Sequence, residues 1–297
     1  MMQKRDFFYI LLTFAMFAWG ASWVNAKVLT SYIDPFEITF LRFGIAALTL
    51  APLLIFLKRS FKIDRESLLI ALAAAIVNVF YMKYFLLGTK FGTAGLGGAF
   101  VTTMVPINTF IIMALFFGRK ISMKDFFALI MGGFGVLMIL GVWTLSMDEV
   151  LTRHNFYFVL ASLLWPVLTI VSSKATKVNA LVFIFYMYLF TTLIVALFFV
   201  DLSFISAVHY DAKFIFNLLS ISIVATTFAT SVYFLGIEKL GTNEVSSFIF
   251  LVPFFAIGLS AFFLGEKIGY HVILGTILTI IAVSLLNNVK YRRKTPL

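Results

Sequence analysis

The chain has 297 residues, 62% of them apolar and only 12% charged, with a mean hydropathy of +1.05. Water-soluble domains keep roughly a quarter of their residues charged, so this composition excludes a soluble globular fold and turns most of the surface toward lipid. The formal net charge of +10 does not indicate nucleic acid, because the basic residues fall in short clusters between apolar runs and not on one module.

In chain order, apolar runs occupy residues 7–26, 36–57, 67–87, 91–118, 126–147, 154–173, 178–200, 214–237, 245–265 and 268–289. Eight are free of charge; the second contains Arg42 and the third Lys83. About 20 apolar residues at 1.5 Å rise cross a hydrocarbon core of about 30 Å, so the pattern predicts ten transmembrane helices. Backbone groups in lipid must satisfy one another, and runs this long without period-two alternation exclude a barrel. The first run follows Lys4 and Arg5 like a secretory signal, but it is too long for that apolar region and leads directly into another span, so it reads as a signal anchor.

Of the 23 Lys and Arg, two lie inside spans, sixteen fall in the segments on the N-terminal side of the membrane and five in those on the other. That excess places both termini in the cytoplasm of a multi-pass protein of the cell (inner) membrane. With no cysteine, disulfides, thiolate metal sites and a cysteine nucleophile are excluded. His154, His209 and His271 fall near span ends and read as ordinary interfacial histidines without a role.

The chain repeats itself. FLLGTKFGTAGLGGAFVTTMVPINTFIIMALFFGRKI, from Phe85, echoes YFLGIEKLGTNEVSSFIFLVPFFAIGLSAFFLGEKI, from Tyr233. Gly88 pairs with Gly236, Gly92 with Gly241, Pro106 with Pro253, Gly118 with Gly265 and Lys120 with Lys267; upstream, Trp19 falls opposite Trp165. Five spans per copy is an odd number, so the second copy enters the membrane from the opposite side. The expected architecture is an all-α membrane protein of two inverted five-helix repeats, residues 1–146 and 147–290, with a basic cytoplasmic tail at 291–297. Inverted repeats of this kind characterise secondary transporters, whose solute binds near the midplane between the halves.

GTKFGTAGLGGAFVTTMVP followed by FFGRKIS, its second copy GTNEVSSFIFLVP followed by FLGEKIG, and FAWGASW and FLRFGIAAL in the first two spans resemble the EamA-type branch of the drug/metabolite transporter superfamily. The resemblance runs over essentially the whole chain. It implies carriage of a small metabolite, with export as the direction. The acidic residue usual after the fourth span's glycine stands as Glu266 in the second half and is replaced by Arg119 in the first, so a role needing both carboxylates does not carry over.

Charge inside a span costs about 2.5–3.5 kcal/mol on insertion scales, which singles out Arg42 and Lys83, each about five or six residues inside the outer end of its span. Both are candidate donors to a carboxylate or phosphate, arginine by bidentate pairing; the alternative is snorkelling to the outer headgroups and, for Arg42, also a structural role, since the resemblance makes its motif typical of a superfamily that carries unlike solutes. Their repeat-aligned positions are near Tyr188 and Ser231. Trp19, Ser22 and Trp23 share a helical face, as do Trp165, Thr169 and Ser172, either as cavity wall or as packing. Asn78 and Tyr81 lie one turn apart on span three, where Asn78 requires a polar partner. Trp19, Asn78, Tyr81, Trp165 and Tyr188 join the two cations as candidate substrate-binding residues. Pro106 and Pro253 interrupt helices four and nine as candidate hinges or plain bends. The 37 phenylalanines read as lipid-facing and packing surface.

None of the thirteen acids lies well inside a span; Glu37, Glu244 and Glu266 come nearest. Substrate-driven facilitation or exchange therefore fits better than carboxylate-based proton antiport, although Glu244 keeps the latter open. The reading needs no cofactor, metal or catalytic residue: the partners are a small solute and the bilayer, and a monomer is sufficient. The competing class, a membrane-embedded enzyme acting on lipid or isoprenoid substrates, would need clustered carboxylates or a histidine base that the sequence does not assemble.

Overall fold

A computed structural model describes residues 4–118, 120–143 and 152–286, and everything below concerns these residues. The expected boundary at 146/147, Arg119 and the tail at 291–297 lie outside them.

The regular structure of the described residues is all helical and, beside a short helix at Phe204–Ala207, builds ten rods: α1 (Lys4–Leu29), α2 (Pro35–Phe56), α3 (Arg65–Phe91), α4 (Ala94–Phe117), α5 (Met123–Ile139), α6 (Arg153–Ser172), α7 (Ala180–Phe198), α8 (Ala212–Leu240), α9 (Glu244–Leu264) and α10 (Tyr270–Leu286). Eight of them, all but α5 and α10, are long and apolar enough to cross a membrane. The two charge-bearing runs are among the eight. The fifth run ends early among the described residues: α5 stops at Ile139, and Gly141 turns the chain with φ of +68°.

Side-chain caps explain where the rods begin. Asp34 and Glu37 form a reciprocal capping box with Pro35 in the first turn of α2. Asp64 accepts from the Ser67 N–H, Thr93 from Leu96, Ser122 from Asp125, Asn179 from Leu181 and Asp211 from Phe214. The repeat-paired glycines Gly118 and Gly265 close α4 and α9 with φ of +67° and +65°, the left-handed cap that favours glycine.

Packing is symmetric under exchange of the halves. α2 packs on α7, α4 on α9 and α5 on α10, while α3 against α6 mirrors α8 against α1, and α3 against α7 mirrors α8 against α2. Each rod also runs opposite to its counterpart. The start of α2 stacks Phe36 on Phe199 at the end of α7, centroids 4.5 Å apart. The start of α4 meets Glu266 just past α9, and His271 at the start of α10 lies 3.1 Å from the Met138 carbonyl near the end of α5. Arg5 at the start of α1 meets Glu244 at the start of α9, whereas Lys27 near its end meets Gly92, beside which His154 opens α6.

The bundle therefore has a proximal end, holding Arg5, and a distal end, holding the α1–α2, α3–α4 and α7–α8 connections. Its outside is apolar: Leu48, Leu115, Leu197 and Phe262 are 75, 71, 74 and 81% exposed. Patches of that extent face lipid or a partner. With eight membrane-length rods, this is a multi-pass membrane protein.

Candidate functional site

The polar interior forms where α2, α3, α7 and α8 meet. Residues Ser220–Phe228 of α8 wind as a π-helix, a rare geometry that gathers at functional sites. The wider turn lets Thr226 donate to the Ile221 carbonyl five residues back at 2.7 Å, and Thr227 toward that of Ser222 at 3.3 Å. Both hydroxyls thereby face α2. Thr226 Oγ1 accepts from Arg42 Nε at 2.8 Å, and Thr227 Oγ1 lies 2.7 Å from Thr49 Oγ1.

Arg42 makes one other polar contact, from a terminal nitrogen to Met82 Sδ at 3.8 Å, which is a weak acceptor. Of its five N–H donors, the remainder have no partner among the described residues, and no carboxylate there lies within ion-pair distance of it. The phenols of Tyr81 and Tyr188 lie within electrostatic reach of the guanidinium. Arg42 lies deep in the molecule and is half-buried. Tyr188 is buried and rests on Phe43 with centroids 5.0 Å apart. Tyr81 lies 4.9 Å from the Trp165 ring.

The other expected residues are placed as follows. Asn78 is buried and donates to Thr191 Oγ1 at 3.2 Å. Trp19 donates to the Ala225 carbonyl inside the π segment at 3.0 Å and lies 5.2 Å from Tyr233; Trp19 against α8 thus mirrors Trp165 against α3. Ser22 and Thr169 bond carbonyls of their own helices. Pro106 and Pro253 line one small apolar cavity of about 10 Å³ together with Thr102, Thr103, Phe250 and Val283. α4 stays α-helical through Pro106, but a 3₁₀ stretch, Phe248–Leu251, precedes Pro253. The Ser231 hydroxyl is buried without a partner.

Lys83 and Arg42 do not form one site. Met82 touches Arg42, and the next side chain along a helix points about 100° away. Lys83 instead lines a distal pocket with Asp34, Phe36, Glu37, Leu87, Phe199 and Asp201. Sequence reasoning missed Thr226, Thr227 and Met82; the only signal was two adjacent threonines inside an apolar span.

Charged residues at the rod ends tie the fold together. At the distal end Lys27 Nζ donates to the Lys90 and Gly92 carbonyls at 3.0 and 2.6 Å, while Glu266 accepts from the Ala94 and Gly95 N–H groups at 2.8 and 2.9 Å. A cation on a helix C-terminus and an anion on a helix N-terminus each oppose the helix dipole. At the proximal end Arg5–Glu244, Arg59–Glu238 and Lys177–Glu66, at 2.6, 2.6 and 2.7 Å, all join the first half to the second. Tyr9 donates to the same Glu244 carboxylate at 2.6 Å.

A lipid-embedded bundle of two equivalent halves, with a cation and hydroxyls between them, has the makings of a carrier for small solutes. The chain belongs to the EamA-like transporter family, whose model matches it twice, over residues 6–141 and 152–288. It is 25% identical to an uncharacterized transporter of Archaeoglobus fulgidus over 288 residues, covering 93% of this chain and 96% of the relative. It is also 25% identical to the uncharacterized transporter YoaV of Bacillus subtilis over 265 residues, covering 88% and 89%. A solved crystal structure shares the fold with a TM-score of 0.62 at 12% identity, covering 94% of this chain and 96% of that one.

Proposed function

We propose that this transporter crosses the cytoplasmic membrane ten times with both termini inside, and exports a small anionic or amino-acid-like metabolite by alternating access between its inverted halves. One observation carries the substrate class: the Arg42 guanidinium sits inside the bundle with unspent donors and no carboxylate partner among the described residues. A buried charge left uncompensated is expensive, and a solute carboxylate or phosphate would supply the missing partner by a bidentate bond. Tyr81, Tyr188 and Thr226 surround that position and would add neutral donors or acceptors.

The three proximal ion pairs between halves fit a phase of an alternating cycle in which that end is closed. The relatives' transporter names favour carriage over catalysis on lipid substrates. Comparison of metabolite retention in cells with and without the protein supplies candidate solutes, which are then assayed in proteoliposomes. Arg42→Gln is expected to lower transport of an anionic hit by about 30-fold or more, the worth of roughly 2 kcal/mol of charged hydrogen bonding. Unchanged transport in both Arg42→Gln and Arg42→Ala would remove the site.

A further inference from the structure

The distal pocket has the charge layout of a binding site in its own right. It is a cavity of about 220 Å³ between the start of α2, the last turns of α3 and the end of α7. The Lys83 ammonium lies on one side of it, 5.8 and 5.7 Å from the Phe36 and Tyr84 rings, with no carboxylate in ion-pair distance among the described residues. Glu37 and Asp201 line the same cavity. They are held by the chain itself: Glu37 accepts from the Asp34 N–H at 2.7 Å and Asp201 from the Ser203 N–H at 3.0 Å. Asp34, the third acid, is 3.5 Å from Lys90. Leu87, Val200 and the stacked Phe36 and Phe199 supply apolar wall.

A cation and two carboxylates fixed around one void, without closing on each other, match a ligand that carries both charges. We propose that this pocket binds a small zwitterion of the α-amino-acid type, its carboxylate on Lys83, its ammonium toward Glu37 and Asp201, and its side chain on Phe36, Phe199 and Leu87. The pocket is separate from the Arg42 site, since Lys83 turns away from the Arg42 side of α3. It holds whether or not Arg42 carries transport, because it concerns binding alone. The ethanolamine headgroup of a phospholipid pairs an anion with an ammonium in the same way and is the other source of this chemistry.

Because the chain lacks cysteine, Val200→Cys places a single thiol on the pocket wall. Its rate of maleimide labelling is measured in the purified full-length protein in maltoside micelles. Glycine, alanine, leucine and phenylalanine are the test ligands, 4-methylpentanoate and isopentylamine the single-charge controls, and glycerophosphoethanolamine the headgroup arm. At least one amino acid is expected to slow labelling about 5-fold or more, with neither control doing so and with protection lost in Val200→Cys/Lys83→Met. Protection by glycerophosphoethanolamine alone would overturn the amino-acid assignment in favour of lipid. Absence of any protection, equal protection by a control, or protection that survives Lys83→Met would overturn the site. Leu87→Cys, on another wall, repeats the measurement should Val200→Cys not fold.

Discussion

Arg42 and Asp211 show two ways a single side chain is held by its surroundings. Arg42 is anchored in the interior by its bond to Thr226, and Lys could not replace its planar fork. Asp211, on the distal surface, accepts from the Phe214 N–H at 2.7 Å and from the Tyr32 hydroxyl at 2.8 Å. The backbone bond first and the Tyr32 bond second hold its carboxyl below the ordinary carboxylate range. A depressed folded value means that the unfolded chain binds the proton more readily, so this cap stabilises at neutral pH and is lost as pH falls below about 4. Asp211→Ala should therefore melt below the parent at pH 7, and the gap should narrow at pH 3; a gap that widened with acid would contradict the assignment.

Among the described residues two helical elements depart from regular α-helix, and both belong to the second half. The π segment of α8 turns Thr226 and Thr227 together onto α2, and the 3₁₀ stretch of α9 precedes Pro253. The halves are equivalent in packing but not in local winding, and the charged residue is likewise one-sided: Arg42 in α2 faces Tyr188 in α7. Deleting Ile223 would let the ordinary i→i+4 pattern close and rotate Thr226 relative to Arg42. Transport of an anionic hit should fall at least about 10-fold while the protein still elutes as a folded species. Undiminished transport would mean that the π winding has no part in the site.

At the scale of the molecule, counterpart rods run antiparallel and pack symmetrically, and the proposed ten-span topology would place the two ends of each half on opposite sides of the membrane. Exposed Ser60 and Ser203 lie at the proximal and distal ends. Single Ser60→Cys and Ser203→Cys variants should label with an impermeant maleimide from opposite sides of the membrane, Ser203→Cys in intact spheroplasts and Ser60→Cys only after permeabilisation. Labelling of both from the same side would reject the ten-span topology.

The helical class, the repeat, and the conspicuous Arg42 and Lys83 were legible in the sequence, because hydropathy, glycine and proline spacing, and the cost of charge in lipid are local properties written in residue order. Gly118 and Gly265 illustrate this: they paired by position alone, and both proved to be left-handed caps. The separation of Lys83 from Arg42, the role of Thr226, the π winding and the proximal ion pairs were decided only by the tertiary structure. Each depends on which helix faces an adjacent residue and on which partner, more than a hundred positions away, fills a hydrogen bond, and neither is set by spacing along the chain.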